Sequence, residues 1–282
     1  MAKIRIGVVQ SRVYAEKWEN LHRLKMLLER SDLRRADLVA LPEMFCCPYD
    51  TACFPAYAEE EGGEVWQFCS GLAAEYGIYF AAGTVPERDA QGRIYNTAYV
   101  FDRKGAQIAK YRKTHLFDVD IEGGQRFQES AVLTAGNETA VFDTEFCRIG
   151  LCICYDFRFP ELSRLLTDQG AKILLVPAAF NMTTGPAHWE NLFRQRAVDN
   201  QVYTVGIASA RDPLGEYVSW GHSIVAGPWG DVRMQLEEAE GFFLTELDLE
   251  EVERVRAQLP LLAHRRKDLY SASFSPARGP KP

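Results

Sequence analysis

Short apolar, β-branched runs recur along the chain, and between several of them lie longer segments whose apolar positions repeat every three or four residues. The first pattern marks buried strands and the second amphipathic helices. Strands are predicted over 4–10, 37–41, 78–83, 95–102, 107–111, 139–143, 147–153, 172–177, 202–208, 222–227, 231–236 and 242–247. Helices are predicted over 16–30, where Trp18, Leu21, Leu24 and Leu28 share a face, and over 63–76, where Val65, Phe68, Leu72 and Tyr76 do. Three more are expected over 160–169, 187–200 and 248–258. In 187–200, Trp189, Leu192, Phe193 and Ala197 align, and Pro186 fits the first turn, where its missing N–H loses no hydrogen bond. So many strands, mixed with helices whose apolar stripes need a sheet to cover, imply an α/β chain of stacked sheet layers with helices outside. No Ser/Gly/Pro-rich linker or internal repeat divides the sequence. One domain over 1–282 is therefore expected, ending in a Pro-containing flexible tail at about 272–282.

Composition narrows the function classes. With 47% hydrophobic and 25% charged residues over 282 positions, the chain can build a large core and is not a disordered or fibrous sequence. The formal charge is −7, from 32 basic and 39 acidic residues, and there is no long basic run, so nucleic acid is not an expected partner. No stretch reaches the ~18 apolar residues of a membrane span. The chain opens directly into Ile4-Arg5-Ile6-Gly7-Val8-Val9 rather than a secretory leader, which points to no membrane association and a cytoplasmic location. Seven cysteines, at 46, 47, 53, 69, 147, 152 and 154, make an odd set without CxxC spacing, which fits reduced thiols better than disulfides. Histidines 22, 115, 188, 222 and 264 form no HxxxH or HExxH pattern. The neighbours His115 and Asp118, or His188 and Glu190, are read as ordinary polar residues, so neither a metal nor a cofactor is expected.

The candidate chemistry begins at Cys154, where the apolar run Ile149-Gly150-Leu151-Cys152-Ile153 gives way to a turn. A cysteine is more often a small buried hydrophobe than a nucleophile. A strand end, however, fixes a side chain at the sheet edge, and the turn is expected to leave the thiol exposed beside backbone N–H groups. Glu43 follows another strand in Leu41-Pro42-Glu43, where Pro42 should stop the ladder and leave the acid at the sheet's edge. Lys113 follows a third strand in Tyr111-Arg112-Lys113-Thr114-His115-Leu116. Each alone reads as a surface charge, but thiol, carboxylate and ammonium together make an acyl-transfer set. A thiol of ordinary pKa near 8.5 is only a few per cent ionised at neutral pH and needs a base beside it. Glu43 can take its proton and return it to a leaving amine. Lys113 and the backbone N–H of Tyr155 can hold an oxyanion.

These three motifs, with Cys154-Tyr155-Asp156 as the last, stand in the order found in the nitrilase superfamily of carbon–nitrogen hydrolases, which the chain resembles from its first strand to Arg265-Arg266-Lys267-Asp268-Leu269-Tyr270. The resemblance implies a four-layer α-β-β-α sandwich. It also implies a second glutamate, matched by Glu129 in Phe127-Gln128-Glu129-Ser130, that orients the lysine and the nucleophile. Within the superfamily the chain is most similar to the omega-amidases, through Lys113-Thr114-His115-Leu116-Phe117-Asp118-Val119-Asp120-Ile121, Phe180-Asn181-Met182-Thr183-Thr184-Gly185-Pro186-Ala187-His188-Trp189-Glu190 and Gly221-His222-Ser223-Ile224-Val225. That branch hydrolyses the terminal amide of 2-oxoglutaramate or 2-oxosuccinamate to ammonia and a dicarboxylate. Other members act on N-carbamoyl amino acids, aliphatic amides or nitriles with the same four residues, and a scaffold that has lost catalysis would not need all four.

A substrate with a carboxylate beyond its amide needs a cation. Arg158 matches the arginine that the resembling enzymes use for it, and its planar fork suits a bidentate pair; the alternative is a local pairing with Asp156 or Glu161. Phe180, Met182 and Thr183 resemble pocket-wall residues, and Tyr49, after Pro48, is read as a lid or hydroxyl donor. Cys46 stands where asparagine is usual in the resembling enzymes, and Gly227 where an acid or amide often precedes Pro-Trp-Gly. Relatives associate through their elbow helices, so a homodimer is implied, with a small-molecule amide as the other partner.

Overall fold

The computed structural model describes residues 3–275. The first half runs β1 (Lys3–Gln10), α1 (Lys17–Arg30), β2 (Leu38–Ala40), α2 (Phe54–Tyr57), α3 (Glu64–Tyr76), β3 (Tyr79–Ala81), β4 (Val85–Arg88), β5 (Ile94–Phe101), β6 (Gln107–Arg112), β7 (Asp118–Asp120) and β8 (Arg126–Gln128). The second half runs β9 (Ala140–Asp143), β10 (Arg148–Leu151), α4 (Pro160–Asp168), β11 (Ile173–Ala178), α5 (Gly185–Asn200), β12 (Tyr203–Ala208), β13 (Ile224–Ala226), β14 (Val232–Gln235), β15 (Gly241–Asp248) and α6 (Leu249–Gln258). One sheet has the order β15-β1-β2-β3-β5-β4, with β6 also pairing with β5, and the other the order β14-β13-β12-β11-β10-β9. Strands β1, β2 and β3 are parallel, as are β10, β11 and β12.

Alternation along the strands builds the layers, because successive side chains point to opposite faces. Ile4, Ile6 and Val8 of β1 join Leu151, Ile173 and Leu175 in the core between the sheets. Val9, Val39 and Phe80 face the other way, onto Leu21, Leu24 and Leu28 of α1 and Val65 and Leu72 of α3. On the far side of the second sheet α4 and α5 press close: a Cβ on Gly150 would lie 3.0 Å from Leu166, and one on Gly206 would lie 2.5 Å from the Phe193 ring. The order is helices, sheet, sheet, helices, the four-layer α-β-β-α sandwich.

The structure corrects several local expectations. Trp18 is 56% exposed, so the buried stripe of α1 begins one turn later, at Leu21. In α3, Cys69 and Ala73 complete the buried stripe, and Phe68 and Tyr76 flank it half-buried. Strand β4 carries Pro86, which pattern reading treats as a strand breaker; it lies at the end of its sheet, where a missing donor is tolerated. The hairpin β7–β8 reads Asp-Val-Asp and Arg-Phe-Gln, too short and polar to show as strands. Of the expected tail at 272–282, residues 276–282 lie outside the described residues. Among the described residues no helix is long and apolar enough to cross a membrane.

Candidate active site

Three of the predicted residues reach one place because three strands end there. After β2 the ladder continues through Leu41, whose N–H donates to Ala81 (3.0 Å), and the Pro42 carbonyl accepts from Thr84 N–H (3.2 Å). That approach requires Gly83, at φ +47°, where a Cβ would stand 2.1 Å from the Pro42 oxygen. Glu43 follows, fully buried, and the Met44 N–H is held by the Thr84 hydroxyl at 2.9 Å. Lys113, also fully buried, leaves the end of β6 with its N–H on Asn96 (2.8 Å) and its carbonyl on Gly136 N–H (2.8 Å). Glu129 opens a short turn after β8 and is buried as well.

The three ionisable side chains form one cluster. Lys113 Nζ lies 2.9 Å from Glu43 Oε1 and 2.9 Å from Glu129 Oε2. Asn96 Nδ2 donates to Glu43 Oε1 at 2.8 Å, and Phe117 N–H donates to Glu129 Oε2 at 2.7 Å. The Tyr49 hydroxyl joins them, 2.6 Å from Glu129 Oε1 and 3.3 Å from Glu43 Oε1. Glu43 Oε2, by contrast, is buried without a hydrogen-bond partner among these groups.

Cys154 sits where β10 turns into a short helical stretch, at φ +45°, a left-handed conformation that costs a non-glycine residue of order 1–3 kcal/mol. Asp156 over-determines that turn. Its buried carboxylate accepts from Ile153 N–H (3.0 Å), His115 N–H (2.8 Å) and the Tyr111 hydroxyl (2.8 Å), and its Oδ1 is 2.8 Å from His115 Nδ1. Glu43 and the Ala179 N–H, from the end of β11, both lie close enough to the Cys154 thiol to shift its proton affinity.

Burial, then the Glu43 charge, push the Cys154 thiol well above its ordinary range, against the pull of Lys113. Burial likewise raises Glu43 above the usual carboxylate range; Lys113 opposes this and Glu129 reinforces it. Burial works against the Lys113 ammonium, but Glu129 and Glu43 more than compensate and hold it above the ordinary lysine range. Burial thus raises the proton affinity of both the thiol and the Glu43 carboxyl beside a fixed cation. Such a pair can pass a proton when a carbonyl arrives to accept the sulfur's electrons.

A family model for carbon-nitrogen hydrolase matches residues 5–257. The chain belongs to the carbon–nitrogen hydrolases. The hydrolase is 47% identical to omega-amidase NIT2 of Xenopus tropicalis over 271 residues, covering 96% of this chain and 98% of that protein. Among solved structures it is similar to Saccharomyces cerevisiae Nit3, a member of branch 10 of the nitrilase superfamily, with TM-score 0.86 and 39% identity over 94% of this chain and 97% of that one. The NitFhit protein of C. elegans gives TM-score 0.90 at 35% identity over 98% of this chain and 68% of that one. The hydrolase is thus an omega-amidase-like enzyme that acts on amides.

Around the cluster the hydrolase departs from sequence expectation. Cys154 is not exposed but only 4% accessible, and aromatic rings crowd the same place: Tyr49 and Tyr217, both near enough to Cys154 to feel its charge, have ring centres 4.5 Å apart, and the Phe127 ring is centred 5.4 Å from that of Tyr49. Tyr49 therefore belongs to the charge cluster as well as to this aromatic group. Arg158 pairs with neither Asp156 nor Glu161; Asp156 is already saturated, and Arg158 Nη1 lies 2.8 Å from His188 Nδ1. Its guanidinium is 4.3 Å above the ring of Phe180, which is buried, whereas Met182 and Thr183 are exposed. The Tyr155 N–H, at the start of the elbow, has no acceptor among the described residues. A cavity of about 220 Å³ opens beside Glu43 and Tyr49, bounded also by Cys47, Ser209 and Tyr217. Cys46 packs into the α1–α3 core, where burial pushes its thiol up to about 12, and Gly227 makes the turn to Asp231, so neither departure touches the cluster.

Residue-type reasoning missed Asn96, Asp156, the Ala179 N–H and Tyr217. Asn96 carried a usable signal: an amide inside the apolar run Ile94-Tyr95-Asn96-Thr97-Ala98 is out of place in a strand unless it has a buried partner. Neither His115 nor His188 pairs with its sequence neighbour. Among the described residues, the side chains close enough to share an ion are His222, Glu237 and Glu238, none of which belongs to the cluster.

Proposed function

We propose that the hydrolase is a thiol amidase that removes the terminal amide of a small carboxylate-bearing substrate, 2-oxoglutaramate or 2-oxosuccinamate, through a thioester on Cys154. Glu43 takes the thiol proton and the sulfur attacks the amide carbonyl. Lys113 and the Tyr155 N–H hold the oxyanion; one such donor is typically worth about 3–4 kcal/mol of barrier. The C–N bond breaks, Glu43 returns the proton to the departing ammonia, and the same carboxylate then draws a proton from water as it attacks the thioester. The C–S bond breaks, the dicarboxylate leaves and the thiol is restored. Glu129 and Tyr49 hold Lys113 in place, and Arg158 receives the far carboxylate. Because Cys154 is buried, part of the Tyr49, Phe127 and Tyr217 group moves when substrate enters.

The observation that carries this reading is the asymmetry of Glu43. One oxygen is fixed by Lys113 and Asn96, and the other stands buried and unpartnered in a side chain beside the thiol. The omega-amidase relative supports the substrate class, and seven free thiols support a cytoplasmic location. Ammonia release across 2-oxoglutaramate, glutamine, N-carbamoyl-β-alanine and an aliphatic nitrile tests it. The reading expects 2-oxoglutaramate to be strongly preferred; ammonia with carbon dioxide from the carbamoyl compound as best substrate, or a preferred nitrile, would replace it.

A further inference from the structure

Arg158 is a cation without a counter-charge. Among the described residues no carboxylate lies within ion-pair distance of it, and its Nε and Nη2 have no protein acceptor, while Nη1 meets His188 Nδ1 at 2.8 Å. Burial lowers its basicity, and Cys154, Tyr155 and Tyr217 are near enough to act on it electrostatically, so the guanidinium stands on the thiol's side of the elbow. His188 comes from the first turn of α5, just past Pro186. Burial and the Arg158 charge lower its pKa, keeping the imidazole neutral, and a neutral ring facing a guanidinium presents Nδ1 as the acceptor.

An arginine tail has much rotamer freedom, and bidentate recognition of a carboxylate demands a fork held in one plane and one rotation. The face of Phe180, 4.3 Å away, fixes the plane. His188 fixes the rotation and leaves the other edge of the fork unengaged. An aspartate or glutamate in its place would hold the fork as well but would cancel the charge that a substrate carboxylate must find. A neutral acceptor does the first without the second.

We propose that His188 is a positioning residue for substrate selection, whose neutral Nδ1 orients Arg158 without neutralising it and so sets the preference for amides that carry a distal carboxylate. This rests on the reading of Arg158 as the carboxylate site. The role separates three substitutions: His188→Asn keeps a neutral acceptor near the place of Nδ1, His188→Leu removes it, and His188→Asp keeps an acceptor but adds a charge.

The test compares kcat and KM for 2-oxoglutaramate and for a neutral amide of the same length. With the far carboxylate held by fork and charge, the preference for the acid-bearing amide falls roughly tenfold or more in His188→Leu and His188→Asp, mainly through KM, and stays within about threefold of the native value in His188→Asn. Arg158→Met, with Arg158→Lys as a second variant should it fail to fold, loses the preference too. If Arg158→Met loses the preference and His188→Leu does not, the role of His188 is overturned and the carboxylate site stands. If the Arg158 variants keep the preference, both fall. An equal loss on both amides in His188→Leu would make His188 merely structural and would also overturn the proposal.

Discussion

The two oxygens of Glu43 stand in different surroundings: Oε1 accepts from Lys113 and Asn96, and Oε2 accepts from nothing. A base built this way keeps its geometry while it gains and loses a proton. Its raised pKa sets the sign of the pH dependence. The carboxylate form takes the thiol proton, so activity is lost as pH falls through the Glu43 pKa, and that loss begins at higher pH than for an ordinary carboxylate. Replacing Asn96 by leucine removes a donor that favours the charged form. A hydrogen bond to a charged group is worth roughly 1.5–3 kcal/mol, so the acid limb of kcat/KM should move up by about one to two pH units, which a pH–rate profile checks. Tyr49→Phe removes the hydroxyl on Glu129; the same magnitude predicts a kcat about tenfold lower or more, measured in steady state.

At the scale of elements the site is a set of strand ends. Leu38–Ala40, Ile173–Ala178 and Arg148–Leu151 are parallel strands of two sheets, and their carboxyl ends deliver Glu43, the Ala179 N–H and Cys154, as parallel sheets do for their ligands. The turns matter as much as the strands. Gly83 admits the Pro42 carbonyl at a distance no Cβ tolerates, so Gly83→Ala should lower unfolding free energy by about 1–3 kcal/mol and shift Glu43, seen as a reduced denaturation midpoint with reduced activity. This division also explains what sequence could show. The strand ends were legible because an apolar run stopped at a reactive residue. Asp156 was visible beside Cys154, but its role depends on Tyr111 and His115, more than forty residues earlier in the chain, and no local pattern encodes that pairing. The β7–β8 hairpin and β4 were illegible because a three-residue strand with a single apolar side chain, or a proline at an edge, is too little pattern to read.

At the scale of the whole molecule the sandwich brings the two sheets' loops to one edge, which makes a buried charge cluster possible: the strands fix each backbone before any side chain is placed. The same architecture leaves a groove on the α5 side, lined by Arg158, His188, Leu192 and Trp229, with Trp229 59% exposed. The central claim remains the thiol, and the rate of ammonia release from 2-oxoglutaramate by Cys154→Ala tests it most directly. With Glu43, Lys113, Glu129 and Tyr49 intact, the account predicts a loss of at least about a thousandfold, to the level of the buffer. Release at a rate comparable to the native enzyme would contradict it.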